Sequence, residues 1–440
     1  MQKEALAIPD ILSRLNIEEL NPMQQASVEA NKTNDNVILL SDTGTGKTLA
    51  YLLPVLELLD KTNSNTQALI ITPSRELALQ IEQVFRSMVT GFKVTCCYGG
   101  HLRETEENNL LQAPALIIGT PGRLADHLRR GNIKTGSIQT LVLDEFDKSL
   151  ELGFQDEISF VIGSLTSLKK RILVSATEAL EVPDYVELKD PVTINHLSGT
   201  PAETLAYQLI KSADKDKLDT LFSFLCFTGG RSSIIFCNHR ESVERVNEFL
   251  SDKGIVSVFY HGAMEQRERD IALCKFRNGT SNILVTTDLA SRGLDIPHIR
   301  YIIHYHLPVS EETFTHRNGR TARMDASGTA VMILGPEEKL PAFIPATVTE
   351  IKLPDVTTIP DKPKWSTLYI SAGKKDKINK VDIVGFLSNR AHLKKEDIGL
   401  IEVKDFLSFV AVRKSHVSDI LQKIKNEKIK NKKVKIDIAK

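Results

Sequence analysis

Cysteine is scarce in this chain. The five thiols, Cys96, Cys97, Cys226, Cys237 and Cys274, form no C-x-x-C pair, which argues against a zinc site and a disulfide scaffold and suits a reducing compartment. No apolar run reaches the roughly 20 residues of a membrane-spanning helix. The segment Met1–Asp10 lacks the charged-then-apolar layout of a secretory leader. A cytoplasmic protein without a membrane segment is expected. Aromatics make up only 6% of the chain, and none precedes Tyr51. Net charge is absent too, since 56 Lys and Arg balance 56 Asp and Glu. With 41% hydrophobic and 25% charged residues, the composition is globular rather than disordered. At 440 residues one core cannot hold it, and a prior of roughly 150 residues per domain suggests about three.

The overall balance conceals an asymmetry. From Trp365 to Lys440 there are 18 Lys and Arg against 9 Asp and Glu, so this tail is basic and the preceding body is acidic by the same margin. A basic tail on an acidic body fits a separate module for a polyanion. A lysine-rich solvated surface fits the charge alone equally well.

Short runs rich in Val, Ile and Leu recur along the body: Val37–Leu40, Ala68–Thr72, Ala115–Ile118, Leu141–Leu143 and Ile172–Val174. A second series follows: Ser233–Phe236, Val256–Tyr260, Ile283–Thr286, Tyr301–His304 and Ala330–Leu334. Near-continuous apolar runs of this length read as strands buried on both faces, and with helices between them they make parallel sheets of doubly wound type. Two α/β lobes are expected, at 1–197 and 204–345. Six prolines between Pro336 and Pro363 mark a tether or an extended strap, placed at 346–364. Residues 365–440 read strand, helix, strand, strand, helix, strand, the βαββαβ order of a small α+β RNA-recognition fold.

Unusual polar clusters follow these strands, where open α/β sheets place their ligands. Ser41-Asp42-Thr43-Gly44-Thr45-Gly46-Lys47-Thr48 lies between the first strand and a helical pattern over Leu49–Leu59. A strand, a glycine-rich turn ending in Gly-Lys-Thr and a helix together bind a triphosphate through backbone N–H groups and the helix N-terminus. Lys47 would reach the outer phosphates, and the Thr48 hydroxyl would meet Mg²⁺. The pattern asks for glycine where this chain has Ser41. Further clusters are Thr72–Ala78, Thr120–Arg123, Asp144-Glu145-Phe146-Asp147, Ser175-Ala176-Thr177, Thr286–Asp295 and His316–Arg323.

In order and spacing these clusters, with Gln24 and Gly99-Gly100, resemble a DEAD-box RNA helicase across roughly residues 1–350. The tail, with Gly373-Lys374-Lys375-Asp376-Lys377 and Phe409–Val412, resembles the RNA-binding domain of the DbpA-type branch, which is directed to structured ribosomal RNA. The resemblance implies two RecA-like lobes and a small RRM-like domain. It also implies ATP and Mg²⁺ as ligands and an RNA-stimulated ATPase that unwinds RNA locally, with large-subunit ribosome assembly as its setting. Ribosomal precursor particles and a monomeric state go with that reading.

On the matching positions, Thr43 to Thr48 would bind the phosphates, Gln24 the adenine edge and Asp295 the ribose. Asp144 and Thr48 would hold Mg²⁺ largely through water, and Glu145 would activate the attacking water. Arg320 and Arg323 would act as arginine fingers, while Asp147, Ser175 and Thr177 would relay nucleotide state. Arg75, Gly99, Gly100, Thr120, Arg123, Arg269 and Thr286 would line the RNA path, contacting phosphates and 2′-hydroxyls. In the tail Tyr369 would stack on a base, and Lys374 and Lys375 would bind phosphates.

Two departures from the family pattern bear on nucleotide handling. Phe146 stands where the family has alanine, and Ile17 replaces the aromatic expected beside the adenine. Both keep open a rival reading, an RNA clamp or chaperone with little ATPase activity. Intact Lys47, Asp144, Glu145, Arg320 and Arg323 oppose it. A DNA helicase is disfavoured by Thr120–Arg123 and by the tail.

Overall fold

The apolar runs become interior strands because the residues on both sides of each strand find helices to pack against. The computed structural model describes residues 7–42, 44–100, 102–177, 182–197, 205–288, 299–321, 328–354, 358–425 and 427–439. It divides into two compact units, the second beginning at Glu203 and taking in both the second lobe and the tail.

The first lobe is built on β1 (Asn36–Ser41), β2 (Ala68–Ile71), β3 (Val94–Cys97), β4 (Leu116–Gly119), β5 (Thr140–Leu143), β6 (Lys170–Ser175) and β7 (Val192–His196). They form one sheet in the order β3-β4-β2-β5-β6-β1-β7, with every pairing parallel. Its helices are α1 (Ile8–Leu15), α2 (Pro22–Thr33), α3 (Lys47–Leu58), α4 (Arg75–Ser87), α5 (Arg103–Leu110), α6 (Pro121–Arg129), α7 (Phe146–Glu151) and α8 (Gln155–Gly163). Alternation along β2 shows the double winding. Ala68 and Ile70 join a core with Leu52 of α3 and Ile81 of α4, while Leu69 and Ile71 join another with Leu124 of α6 and Ile158 of α8. Each fully buried aliphatic contributes about 1.5–3 kcal/mol relative to exposure.

The second lobe repeats the plan. Its strands are β8 (Leu205–Lys211), β9 (Ser233–Phe236), β10 (Val258–Tyr260), β11 (Ile283–Thr286), β12 (Tyr301–His304), β13 (Gly328–Leu334) and β14 (Thr349–Glu350), in the parallel order β10-β11-β9-β12-β13-β8-β14. Its helices are α9 (Leu218–Phe227), α10 (Arg240–Asp252), α11 (Gln266–Arg277) and α12 (Glu311–Asn318). The proline-rich stretch is an ordered strap over its described length. β14 adds to the edge of β8, Ile351 N–H donates to the Leu209 carbonyl, and Pro360 packs on Gly230.

The tail has β15 (Trp365–Ile370), α13 (Lys380–Arg390), β16 (Ile398–Val403), β17 (Ser408–Arg413), α14 (Val417–Ile424), the hairpin β18 (Lys428–Ile429) and β19 (Lys432–Lys433), and β20 (Ile436–Ile438). The sheet order β16-β17-β15-β20 is antiparallel throughout. One face packs on α13 and α14 through Leu368, Ile370, Val410, Leu387 and Ile420. The other face lies on α11 of the second lobe, where Phe409 is fully buried with Ile271 and Cys274. Arg277 forms a two-pronged ion pair with Glu402 at 2.8 Å on each prong, and Asn278 Nδ2 donates to Thr367 Oγ1 at 2.8 Å. The Arg267 guanidinium lies 5.0 Å over the Tyr369 ring. The half-buried ring of Tyr369, expected to stack on a base, here packs against Arg267 and Phe409 on this intramolecular side of the sheet.

Candidate nucleotide and RNA site

Helix α2 sets the phosphate loop from one side. Asn21 caps it by accepting from Gln24 N–H at 2.9 Å, and Gln24 Oε1 accepts from Asn21 N–H at 3.0 Å. The same two side chains then reach the loop, Asn21 Nδ2 donating to the Thr45 carbonyl at 2.9 Å and Gln24 Nε2 to the Gly46 carbonyl at 3.2 Å. Gly46 has φ +88°, and a Cβ there would stand 2.6 Å from Gln24 Nε2. Only glycine fits the turn into α3. Within the loop Thr45 Oγ1 lies 2.8 Å from Ser41 Oγ and donates to the Asp42 carbonyl, and Lys47 Nζ donates to the Ser41 carbonyl at 2.5 Å. Ser41, which breaks the glycine pattern, is thereby a partner of the loop. Burial pushes the Lys47 ammonium below the usual lysine range against the pull of Asp144, Glu145, Asp147 and Asp42.

The acidic cluster follows β5 in the same lobe. Asp144 N–H donates to the Ile71 carbonyl, which fixes the strand end. Asp144 Oδ2 accepts from the Tyr51 hydroxyl at 2.8 Å, and Oδ1 accepts from Glu145 N–H at 3.0 Å. Burial, then the charge of Glu145, lifts the Asp144 carboxyl to about 7, opposed by the Tyr51 bond and by Lys47. Glu145 lies in the left-handed region at φ +46° and ψ +50°, and its Oε2 is buried with no hydrogen-bond partner among the described residues. Phe146 is fully buried in the core beneath α7, so its extra volume is accommodated there. Thr177 Oγ1 donates to Asp147 Oδ2 at 3.4 Å, and Ser175 Oγ accepts from Thr177 N–H at 3.0 Å. The relay residues are in contact.

The lobe-one RNA candidates also converge, at the carboxyl ends of β2, β3 and β4. Arg75 opens α4 with its guanidinium 4.8 Å over the Tyr98 ring, Gly99-Gly100 follows β3, Thr120 caps α6, and Arg123 lies in that helix's first turn. In the second lobe Arg269 lies on α11 and Arg320 is buried just past α12. Thr286 ends β11 fully buried, its hydroxyl donating to the Tyr260 carbonyl at 2.8 Å. In the tail Lys374 and Lys375 are exposed, their backbone N–H groups bonded to the Lys404 and Asp405 carbonyls, and Phe406 of that neighbouring turn is 63% exposed. Thr43, Asp295 and Arg323 lie outside the described residues.

Two residues escaped the sequence reading. Tyr51 stands one helical turn after Lys47 on α3, a spacing that puts both on one face. Arg317 is fully buried, its guanidinium bonded to both Asp288 carboxylate oxygens, the His306 carbonyl and Asn238 Oδ1, and 5.1 Å over the Phe236 ring.

No described helix is long and apolar enough to cross a membrane. The family described as DEAD/DEAH box helicase matches residues 21–185, the helicase conserved C-terminal domain matches 216–325, and the DbpA RNA binding domain matches 367–438. The ATP-dependent RNA helicase DbpA of Escherichia coli (strain K12) is 33% identical, covering 98% of this chain and 96% of its own. Its namesake in Bacillus subtilis (strain 168) is 28% identical over 97% and 96%. Among solved structures, S. cerevisiae Dbp5 bound to RNA and ADP BeF3 is similar with a TM-score of 0.67 and 26% identity, over 76% of this chain and 88% of that one. With the triphosphate loop, the acidic cluster and the third domain all in place, the chain belongs to the DEAD-box ATP-dependent RNA helicases, in the branch that carries a DbpA RNA-binding domain.

Proposed function

We propose that this ATP hydrolase works as a cytoplasmic monomer that unwinds or remodels structured ribosomal RNA during large-subunit assembly, with residues 365–440 as the address. The observation that carries the reading is the construction of the tail. One face of its sheet lies on α11, yet Lys374, Lys375 and Phe406, on two adjoining turns, are exposed. Ammonium groups for phosphates beside an aromatic for an unpaired base suit a folded RNA with a loop or junction. The hairpin β18–β19 adds to this edge, with Lys430 Nζ donating to the Lys377 carbonyl and Lys432 paired with Asp376. Precursor particles of the ribosome would present such RNA. The five cysteines are all free and buried, which supports a reducing compartment.

In the motor, the backbone from Thr43 to Gly46 and the Lys47 ammonium would bind the phosphates of ATP. The second amide N–H of Gln24 would read the adenine edge, and Asp295 the ribose. Mg²⁺ fits the donor set. The Thr48 hydroxyl and the Asp144 carboxylate are hard oxygen ligands, and the partnerless buried oxygen of Glu145 beside them marks local excess negative charge. When bound, the ion neutralises charge on the triphosphate. Glu145 orients the attacking water and takes its proton, Arg320 and Arg323 supply positive charge to the γ-phosphate, and Asp147, Ser175 and Thr177 pass the nucleotide state onward. Arg75, Gly99-Gly100, Thr120, Arg123 and Arg269 hold the RNA backbone.

Tyr51→Phe removes the hydroxyl that holds Asp144 and should lower RNA-stimulated ATP turnover by about tenfold, the value of one hydrogen bond to a charged group. Steady-state phosphate release checks this. Unaltered turnover would mean that the hydroxyl only fills space.

The address is best tested in the full chain, because removing the tail would bare Ile271 and Cys274 on α11. The double charge reversal Lys374→Glu, Lys375→Glu should leave ATPase stimulation by generic single-stranded RNA in place. The RNA concentration for half-activation by ribosomal RNA should rise by about tenfold or more, as expected when phosphate contacts are lost. A retained preference for ribosomal over generic RNA would show that this edge is not the address.

A further inference from the structure

Beneath the RNA-lining turns of the first lobe lies a carboxylate that the nucleotide chemistry does not use. Glu106, on α5, is 1% exposed. Its Oε1 accepts from Tyr98 N–H at 2.8 Å, while Oε2 is 2.6 Å from His127 Nε2 and 3.4 Å from Arg123 Nη1. His127 is itself fully buried, and Asn132 Nδ2 donates to its Nδ1 at 3.0 Å. An amide nitrogen only donates, so Nδ1 is the acceptor and the ring proton is on Nε2, pointing at the carboxylate. A line of donors from Asn132 through His127 thus ends on Glu106, where Tyr98 N–H and the Arg123 guanidinium also arrive.

Each arrival leads to the RNA path. Tyr98 immediately precedes Gly99-Gly100, and its ring supports the Arg75 guanidinium. Arg123 is three residues past Thr120, whose N–H donates to the Cys97 carbonyl at 3.0 Å. The turn runs so close to β3 that a Cβ on Gly119 would stand 2.5 Å from that same carbonyl oxygen. The Cys97 thiol, the Glu106 carboxylate and the His127 ring lie within 4.8 Å of one another, a grouping that by spacing alone suits a metal ion. Chemistry argues otherwise, because the Arg123 guanidinium already supplies the positive charge and the His127 proton already occupies the carboxylate.

We propose that Glu106 is a positioning residue of the RNA path. It sets the direction of Arg123 and, through Tyr98, holds the Gly99-Gly100 turn and Arg75 in register with it. This rests on the assignment of those residues to RNA made above. A buried carboxylate is costly unless paired, and removing one partner of such a pair releases the other. Without Glu106 the Arg123 side chain, now 15% exposed, loses its tether and the phosphate contacts lose their preset spacing.

The test is ATPase activity against RNA concentration in the full chain for Glu106→Gln, Arg123→Gln and the double variant, with the melting temperature of each. Glutamine keeps the volume and an acceptor for Tyr98 N–H but removes the charge. For Glu106→Gln the half-activating RNA concentration should rise about tenfold, while kcat at saturating RNA and the KM for ATP stay within about twofold. Arg123→Gln should match it, and the double variant should be no worse than the larger single effect. If Arg123→Gln weakens RNA activation and Glu106→Gln does not, the positioning role falls while the RNA path stands. If neither changes it, both fall. A fall in melting temperature and kcat at constant half-activating RNA, or strictly additive effects in the double variant, would make Glu106 merely structural and overturn the proposal.

Discussion

Glu145→Gln should leave ATP and RNA bound and cut ATP turnover by about 10²–10⁴-fold, the usual worth of a positioned general base. The geometry explains why the effect should be so clean. Glu145 caps α7 in the left-handed region, a conformation that costs a non-glycine residue about 1–3 kcal/mol and persists only where its surroundings enforce it. Here the enforcement is visible on both sides. Asp144 Oδ1 holds the Glu145 N–H, and the next residue, Phe146, is locked into the core. Glutamine has the same length and meets the same backbone constraints, so the site should keep its shape and its affinity. What disappears is the ability to accept a proton from water. Phosphate release at saturating RNA, set beside equilibrium binding of a fluorescent ATP analogue, separates the two. Turnover within about fivefold of the parent would mean that another group takes the proton.

Much of this site was legible because the relevant signals are local. Val37–Leu40, the glycines before Lys47 and the helical pattern after it are contiguous, and the apolar runs of β9, β11 and β12 appear in the structure with the bounds read from the sequence. Signals that depend on distant partners were not. β7 is an edge strand of which only Ile194 is buried, so it shows no apolar run. β3 is Val-Thr-Cys-Cys, and β8 interrupts its apolar residues with a buried Tyr207 and a half-buried Gln208. Tyr369 carries the residue type of an RNA-stacking platform, and only the docking of the tail on α11 reveals its contacts with Arg267 and Phe409. Glu106 reads as one acid in an acidic helix, since its partners Tyr98, Arg123 and His127 come from other elements. Thr286 illustrates the same limit in reverse. A threonine at a strand end suggests a ligand, yet its hydroxyl turns inward to the Tyr260 carbonyl.

Arg317→Met should lower the stability of the second lobe by about 1.5–3 kcal/mol, the worth of hydrogen bonds to a charged group, because its ion-pair partner Asp288 is itself partly exposed. From the sequence Arg317 is one of three arginines in a basic segment, of which only Arg320 and Arg323 read as fingers for phosphate. In the structure it is the largest fully buried side chain among the described residues. Its guanidinium joins the end of β9 (Asn238), the end of β11 (Asp288) and the end of β12 (His306), while its face lies on Phe236. Methionine is of similar length and apolar, so it leaves no large cavity, but it removes the donor shared by Asp288, Asn238 Oδ1 and the His306 carbonyl. Lysine retains the charge and one or two of these bonds but not the planar fork, and should fall between methionine and the parent. Urea unfolding should show a lower midpoint for the second lobe with the transition of the first lobe unmoved. ATP turnover should fall as well, because α12 leads directly from Arg317 into Arg320. If methionine left both the midpoint and turnover near the parent values, the buried network would be dispensable, and the presentation of Arg320 would have to depend on other contacts of α12.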